Sequence, residues 1–137
     1  MTFQALQPAG IVNPQVPYSN VVISGDLVAT AGQVPLTAEG NLVSEDFEAQ
    51  AEQVFANLKA CLEVAGCGIE DVFKVNGYLA SFDDFPVYNA VYQRHFNAPL
   101  PARSTVQCGL YGIKVEVEAW ARRPTNASDP RRTGETK

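Results

Sequence analysis

Between Phe47 and Ala65 the apolar residues Phe47, Ala51, Val54, Leu58, Cys61, Leu62 and Ala65 recur every three or four positions. That is the period of a helix with one apolar stripe, and it constrains this chain more than any other feature. A stripe this long must be buried against another layer, and the flanking sequence supplies strands to build one. Ser44, followed by Glu45, Asp46 and Glu48, predicts the helix start. Gly66 predicts its end.

Upstream, NVVIS (20–24) and LVATAG (27–32) are rich in β-branched residues and flank Gly25-Asp26, which predicts a hairpin. Downstream, DVFKVNGYLA (71–80) reads as a strand with Val72, Lys74, Asn76 and Tyr78 on one face. Asp83-Asp84-Phe85-Pro86 starts a second helix, with acids at its positive end and proline in its first turn. Phe85, Tyr88, Tyr92 and Phe96 line one face of that helix, and Asn97, Pro99 and Pro101 stop it. RSTVQCGL (103–110) and IKVEVEAWA (113–121) are two more strands. The short connection at Tyr111-Gly112 predicts that they form a hairpin. The order ββ-α-β-α-ββ predicts one α+β domain, a sheet with both helices on one face, over residues 1–123. The remainder, PTNASDPRRTGETK, has little to bury and is predicted to be a disordered polar tail over 124–137.

Charge narrows the partners. Up to Ala121 there are thirteen acidic and five basic residues, a poor surface for phosphate backbones. The basic excess lies in the tail, where solvation is the simpler reading. No run of eighteen apolar residues occurs, which predicts no membrane span. MTFQALQPAG lacks the layout of a secretory signal, so a cytoplasmic protein is expected. The three cysteines, Cys61, Cys67 and Cys108, form no Cys-x-x-Cys pair and suggest neither a disulfide framework nor a zinc site.

Arg103 stands out in a stretch that otherwise reads as a strand. Alternation puts Arg103, Thr105 and Gln107 on one face, and Lys114, Glu116 and Glu118 on one face of the next strand. A hairpin would bring the arginine close to the glutamates. Two readings are open. One is a solvated cross-strand ion pair, worth ~0–1 kcal/mol. The other is a cleft in which the guanidinium binds a small carboxylate and a glutamate handles a proton or a water. Spacing does not decide between them. His95, among aromatics in the second helix, reads as a packed or surface histidine rather than a catalytic one.

Six segments together resemble the YjgF/RidA family, the reactive-intermediate imine deaminases. PYSN (17–20) resembles its Pro-Tyr-Ser motif, and AGQVPL (31–36) its Ser-Gly-Gln-Ile-Pro stretch. EAQAEQVFANLKACLEVAG (48–66) is similar to its long helix, and VYNAVYQRHF (87–96) to its Asn-x-x-Tyr-x-x-Phe segment. PARSTV (101–106) and VEVEAWA (115–121) resemble its Pro-Ala-Arg-Ser and Glu-x-Glu-Ala signatures. The resemblance spans about residues 10 to 123, in order.

The resemblance implies a chorismate-mutase-like α+β fold. It also implies a homotrimer with a barrel-like core of packed sheets and a cleft between each pair of subunits. The implied reaction is hydrolysis of enamines or imines, such as 2-aminoacrylate and 2-iminopropanoate, to a 2-oxo acid and ammonia, with no metal or organic cofactor. Arg103 resembles the arginine that grips the substrate carboxylate, and Glu116 the glutamate that positions or activates water. Tyr18 resembles the tyrosine that closes the cleft. Gly32 is similar to the glycine whose backbone lines it, and Asn89 to the asparagine of the second helix. Thr105 stands where some members carry cysteine, and mainly its backbone is expected to matter. Ala31 replaces a frequent serine, and the loop 108–113 is about two residues shorter than usual. Tyr111 reads as a turn residue, and Trp120 as interface or core. A second cation in the cleft would support a dicarboxylate-specific deaminase of the aminomuconate type; Lys114 shares the face with Glu116 but equally suits a simple ion pair with it. A non-catalytic metabolite-binding module remains an alternative, and a nucleic-acid role is disfavoured by the acidic body.

Overall fold

In the computed structural model, which describes residues 2–124, six strands form one mixed sheet. They are β1 (Gln4–Leu6), β2 (Val21–Ser24), β3 (Leu27–Thr30), β4 (Val72–Leu79), β5 (Ala102–Gln107) and β6 (Val115–Arg122). The helices are α1 (Phe47–Val64) and α2 (Phe85–His95). Across the sheet the strands run β1-β2-β3-β6-β4-β5. The predicted α+β architecture, a sheet with two helices on one face, is therefore present.

Local chemistry explains the boundaries. Gly25 turns β2 into β3 at φ 66°, a conformation only glycine adopts freely. Asp46, not Ser44, caps α1, its Oδ2 accepting from the Ala49 amide at 3.0 Å. Ser44 sits one turn outside and accepts from the Asp46 amide. Gly66, at φ 81°, ends α1 as expected. A 3-10 turn, Phe82–Asp84, leads into α2, with Pro86 in its first turn. β1 is a strand the sequence reading did not anticipate: three residues, two of them exposed, carry no alternation to read. A bulge between Val72 and Lys74 turns Val72 to the buried face, away from Lys74, Asn76 and Tyr78.

The expected terminal hairpin does not form. β6 pairs antiparallel with β3 on one side and β4 on the other, while β5 runs parallel to β4 as the outer strand. The reason is the crossover: β4, α2 and β5 form a βαβ unit, so β5 returns beside β4 and occupies that edge. The apolar strand β6 takes the centre, with Val115, Val117, Ala119 and Ala121 all buried. The segment between β5 and β6 is an irregular excursion with Tyr111 fully exposed, as suits a turn residue.

The core lies between sheet and helices. Val21, Val28, Val75, Leu79 and the four buried residues of β6 face Ala51, Val54, Phe55, Leu58 and Leu62 of α1. Phe55 contacts the rings of Tyr88, Tyr92, His95 and Phe96 at centroid distances of 5.1–6.2 Å, joining α1 to α2. His95 is thus a packed residue, its Nε2 2.8 Å from Glu52 Oε1. Cys61 and Cys67 are buried, Cys108 only partly so, and burial pushes the Cys61 thiol up to about 12. Among the described residues the opposite face of the sheet carries no helix. It presents Lys74, Asn76, Tyr78, Ser104, Val106, Glu116, Glu118 and the exposed Trp120. The expectation of a disordered tail falls on residues 125–137, outside the described residues, apart from Pro124.

Candidate active site

Gly32 lies where the chain leaves β3 and folds over β6. Gln33 pairs with Val117 through both backbone bonds, N–H to O at 2.7 and 3.2 Å. That bridge sets Gly32 directly over Glu116. The segment is held from below by buried side chains. Gln33 Nε2 donates to Asn20 Oδ1 at 3.3 Å, and Asn20 Nδ2 donates to Gln7 Oε1 at 3.0 Å. From α1, the buried Asn57 donates to the carbonyls of Val34 (2.9 Å) and Leu36 (3.1 Å). Gln50 does the same for the other loop, accepting from the Lys114 amide at 2.9 Å. Two polar residues of the helix thus fix the two segments that carry Gly32 and Glu116.

Tyr18, Ala31, Gly32, Val34 and Glu116 line one cavity of about 270 Å³, open to the uncovered side of the sheet. Tyr18 is half exposed at its rim. Burial raises the pKa of Glu116, and the negative charge of Glu118, two residues along the same face, raises it further. Glu118 is fixed by Asn76, whose Nδ2 donates to it at 3.0 Å. A proton-binding carboxylate beside a backbone of glycine is equipped to exchange protons with a small bound molecule.

Arg103 is elsewhere. It lies opposite Val75 on β5, on the helix-covered face, so Arg103 and Glu116 project from opposite sides of the sheet. This corrects the expected proximity: β4 separates the two strands, and no glutamate pairs with the arginine. Its guanidinium instead packs on three rings of α2, with Cζ 4.8 Å from the Tyr92 centroid, 5.5 Å from Tyr88 and 5.7 Å from Phe85. Among the described residues it makes no ion pair. Arg103, Asn89, Tyr92, Gln93, Leu100 and Pro101 line a second cavity of about 310 Å³. Asn89 Oδ1 and Thr105 Oγ1 are buried and find no hydrogen-bond partner among the described residues. Thr105 lies opposite Gly77, two residues beyond Arg103 on the same face.

The predicted residues therefore form two groups, Tyr18, Gly32 and Glu116 on one side, Arg103, Asn89 and Thr105 on the other. Lys114, expected on the Glu116 face, turns to the segment just before α1, where its Nζ donates to the Glu45 carbonyl at 2.6 Å. It supplies no second cation to either group. Sequence patterns do not mark Asn20, Gln33, Gln50 and Asn57 as supports of the site. A buried amide has no signature in a sequence beyond falling next to an apolar stripe. Among the described residues no three His, Cys, Asp or Glu side chains converge to hold a metal, and no helix is long and apolar enough to cross a membrane.

Fold and site together define a small α+β protein with an arginine that makes no ion pair among the described residues facing one cavity and a glutamate of raised pKa in another. Residues 10–123 match the family described as Endoribonuclease L-PSP, and the chain belongs to it, the YjgF/RidA family. A protein named 2-iminobutanoate/2-iminopropanoate deaminase from Dermatophagoides farinae is 40% identical over 118 residues, covering 84% of this chain and 88% of its own. One of the same name from Salmonella typhimurium is 38% identical over 110 residues, covering 77% and 86%. The crystal structure of RidA from the Antarctic bacterium Psychrobacter superposes with a TM-score of 0.82 at 36% identity, covering 87% of this chain and 98% of that one.

Proposed function

We propose that this protein hydrolyses short 2-imino acids and their enamine tautomers, of the 2-iminopropanoate and 2-aminoacrylate type, to 2-oxo acids and ammonia. We further propose that it does so as a homotrimer whose clefts lie between subunits. The observation that carries the reading is Arg103: a half-buried guanidinium with no carboxylate partner among the described residues, beside the buried Asn89 Oδ1. Its planar donors suit the carboxylate of an imino acid. The names of the relatives support the same chemistry. The two half-sites on opposite sides of the sheet, and the face that carries Trp120 and Val106 and no helix among the described residues, support assembly: an Arg103 group of one subunit can complete a Glu116 group of the next.

In the proposed reaction Arg103 anchors the carboxylate and so fixes the imine carbon beside a water at Glu116. Glu116 takes a proton from that water as its oxygen bonds to C2. In the protonated imine the C=N electron pair moves onto nitrogen, leaving the amine of a carbinolamine. Glu116 returns the proton to that nitrogen, the C–N bond breaks as the hydroxyl gives its own proton to Glu116 and C=O forms, and ammonia leaves with the 2-oxo acid behind, the proton on Glu116 passing to the solvent. An enamine enters after protonation at its β-carbon. The imine is already electrophilic, so no covalent nucleophile and no cofactor are invoked. The acidic body gives no support to an RNA-directed role.

The test is release of ammonia and 2-oxo acid from an imine generated in situ by an amino-acid oxidase, with wild type beside Arg103→Ala, and mass in solution measured on both. Turnover by a trimer that collapses in the variant supports the reading. A well-folded protein with no turnover, or a monomer with full turnover, overturns it.

A further inference from the structure

Arg103 sits on an outer strand, with Ala102, Ser104 and Val106 beside it all exposed. Nothing in β5 itself fixes a long side chain there. What it touches is α2. Phe85, Tyr88 and Tyr92 follow one another at steps of three and four, which stacks their rings along one stripe of the helix. All three centroids lie within 6 Å of the guanidinium carbon, the range of a cation–π contact. The rings are themselves held. Tyr92 stacks on Phe96 at 4.3 Å and meets Phe55 edge-on at 5.9 Å, and Phe85 meets Phe82 edge-on at 5.9 Å.

We propose that Phe85, Tyr88 and Tyr92 are positioning residues for Arg103, orienting its guanidinium for a substrate carboxylate. A carboxylate partner within the chain would also orient the arginine, but it would occupy the N–H donors that the substrate needs. A ring face holds the cation and leaves the in-plane donors available. The arrangement thus presents a fixed, unneutralised cation. It also makes arginine, rather than any cation, the requirement: a lysine ammonium keeps the charge but has neither a plane to lie on the rings nor a fork to meet the carboxylate. Burial pushes the Tyr92 hydroxyl up to about 12, although the nearby Arg103 charge opposes the shift, so the ring beneath the cation stays neutral across the working range. The hydroxyls of Tyr88 and Tyr92 find no partner among the described residues, which leaves the ring faces as the part that acts.

This inference rests on the deaminase reading, and the experiment separates the two. KM and kcat are measured for wild type, Tyr92→Leu, Tyr92→Phe, Phe85→Leu, Arg103→Lys and Arg103→Ala, with pyruvate binding measured by calorimetry on each. Tyr92→Leu is expected to raise KM and weaken pyruvate by about tenfold with kcat little changed, the pattern of lost ground-state anchoring. Tyr92→Phe keeps the ring and should restore affinity to within about twofold of wild type. Arg103→Lys should be no better than roughly one-tenth as effective as wild type. Phe85 is only half buried, so Phe85→Leu reads the same effect if Tyr92→Leu fails to fold. Collapse of Arg103→Ala with wild-type KM in both ring variants would overturn the inference and leave the deaminase reading standing. Full activity in Arg103→Ala would overturn both.

Discussion

Gly32 and Glu116 fill one another's space. A methyl group built on Gly32 would overlap the Glu116 carboxylate, lying 2.7 Å from Cδ and 2.9 Å from Cγ. Glycine is required here by close approach, not by backbone conformation, because no left-handed φ is involved. The backbone of the Gly32 segment and the carboxylate form one surface, closed at its rim by Tyr18.

Gly32→Ala should therefore damage activity far more than stability. The overlapping atoms are the end of a flexible side chain, so the carboxylate can swing aside at little cost to folding. The displaced carboxylate loses its place against the water. We expect kcat/KM to fall by about a hundredfold, the scale of an ångström-level misplacement, with Tm within a few degrees of wild type. Equal loss in a trimer that melts much earlier would show that the glycine serves folding instead.

The pH profile should carry the mark of Glu118. Burial and the Glu118 charge hold Glu116 above the ordinary carboxylate range, so the acid limb of kcat/KM should lie above it too. Glu118→Gln removes the charge and should move that limb to lower pH. An unchanged limb would mean that Glu116 is not the group that titrates. The same shift makes a stability statement. A carboxyl whose folded pKa is raised contributes stability below its ordinary pKa, and loses it as pH rises through the folded value. At neutral pH ionised Glu116 is a cost. Glu116→Gln should then raise Tm at pH 7 while abolishing turnover, and the gain should vanish below about pH 4.

Asn57 links α1 to the Gly32 segment. Its two hydrogen bonds, to the Val34 and Leu36 carbonyls, are made from a residue only 6% exposed. Asn57→Leu leaves both carbonyls without that donor, and should cost ~1–3 kcal/mol and lower Tm by several degrees. Activity should fall further than stability explains, because the loosened segment carries Gly32. Denaturation curves and kcat/KM on the same samples check both parts.

The course of the chain was legible in its residue types, and its pairing was not. Apolar spacing located α1 and α2, and Gly25-Asp26 located the first hairpin, because those signals are local. The place of β6 depends on a crossover that sets β5 beside β4, and no short-range pattern encodes it. Arg103 and Glu116 were found as chemistry, through the motifs around them, but their placement on opposite faces follows from that pairing. Asn57 and Gln50 were invisible for a related reason. The loops they hold, at Leu36 and Lys114, lie 21 and 64 positions away in the chain.

The floor beneath Arg103 is built from Gly77 and Tyr88. A methyl group on Gly77 would overlap the Tyr88 hydroxyl and come within 2.9 Å of Cζ. Tyr88 cannot retreat: it is fully buried, with Phe55 stacked 6.2 Å away and Tyr92 at 6.1 Å. Gly77→Ala should therefore cost ~1–3 kcal/mol as an overpacked site. Tyr88→Phe removes a hydroxyl that has no partner among the described residues, so alone it should be nearly neutral. The two effects share one contact and should not add. In the double variant the hydroxyl is gone, and only the shorter-range conflict with the ring remains. We expect the pair to be more stable than the sum of the single changes by at least ~0.5 kcal/mol, the usual size of coupling between touching residues. A denaturant-based double-mutant cycle measures it. Strict additivity would mean that Gly77 is needed for the backbone of β4 rather than for the ring that lies on it.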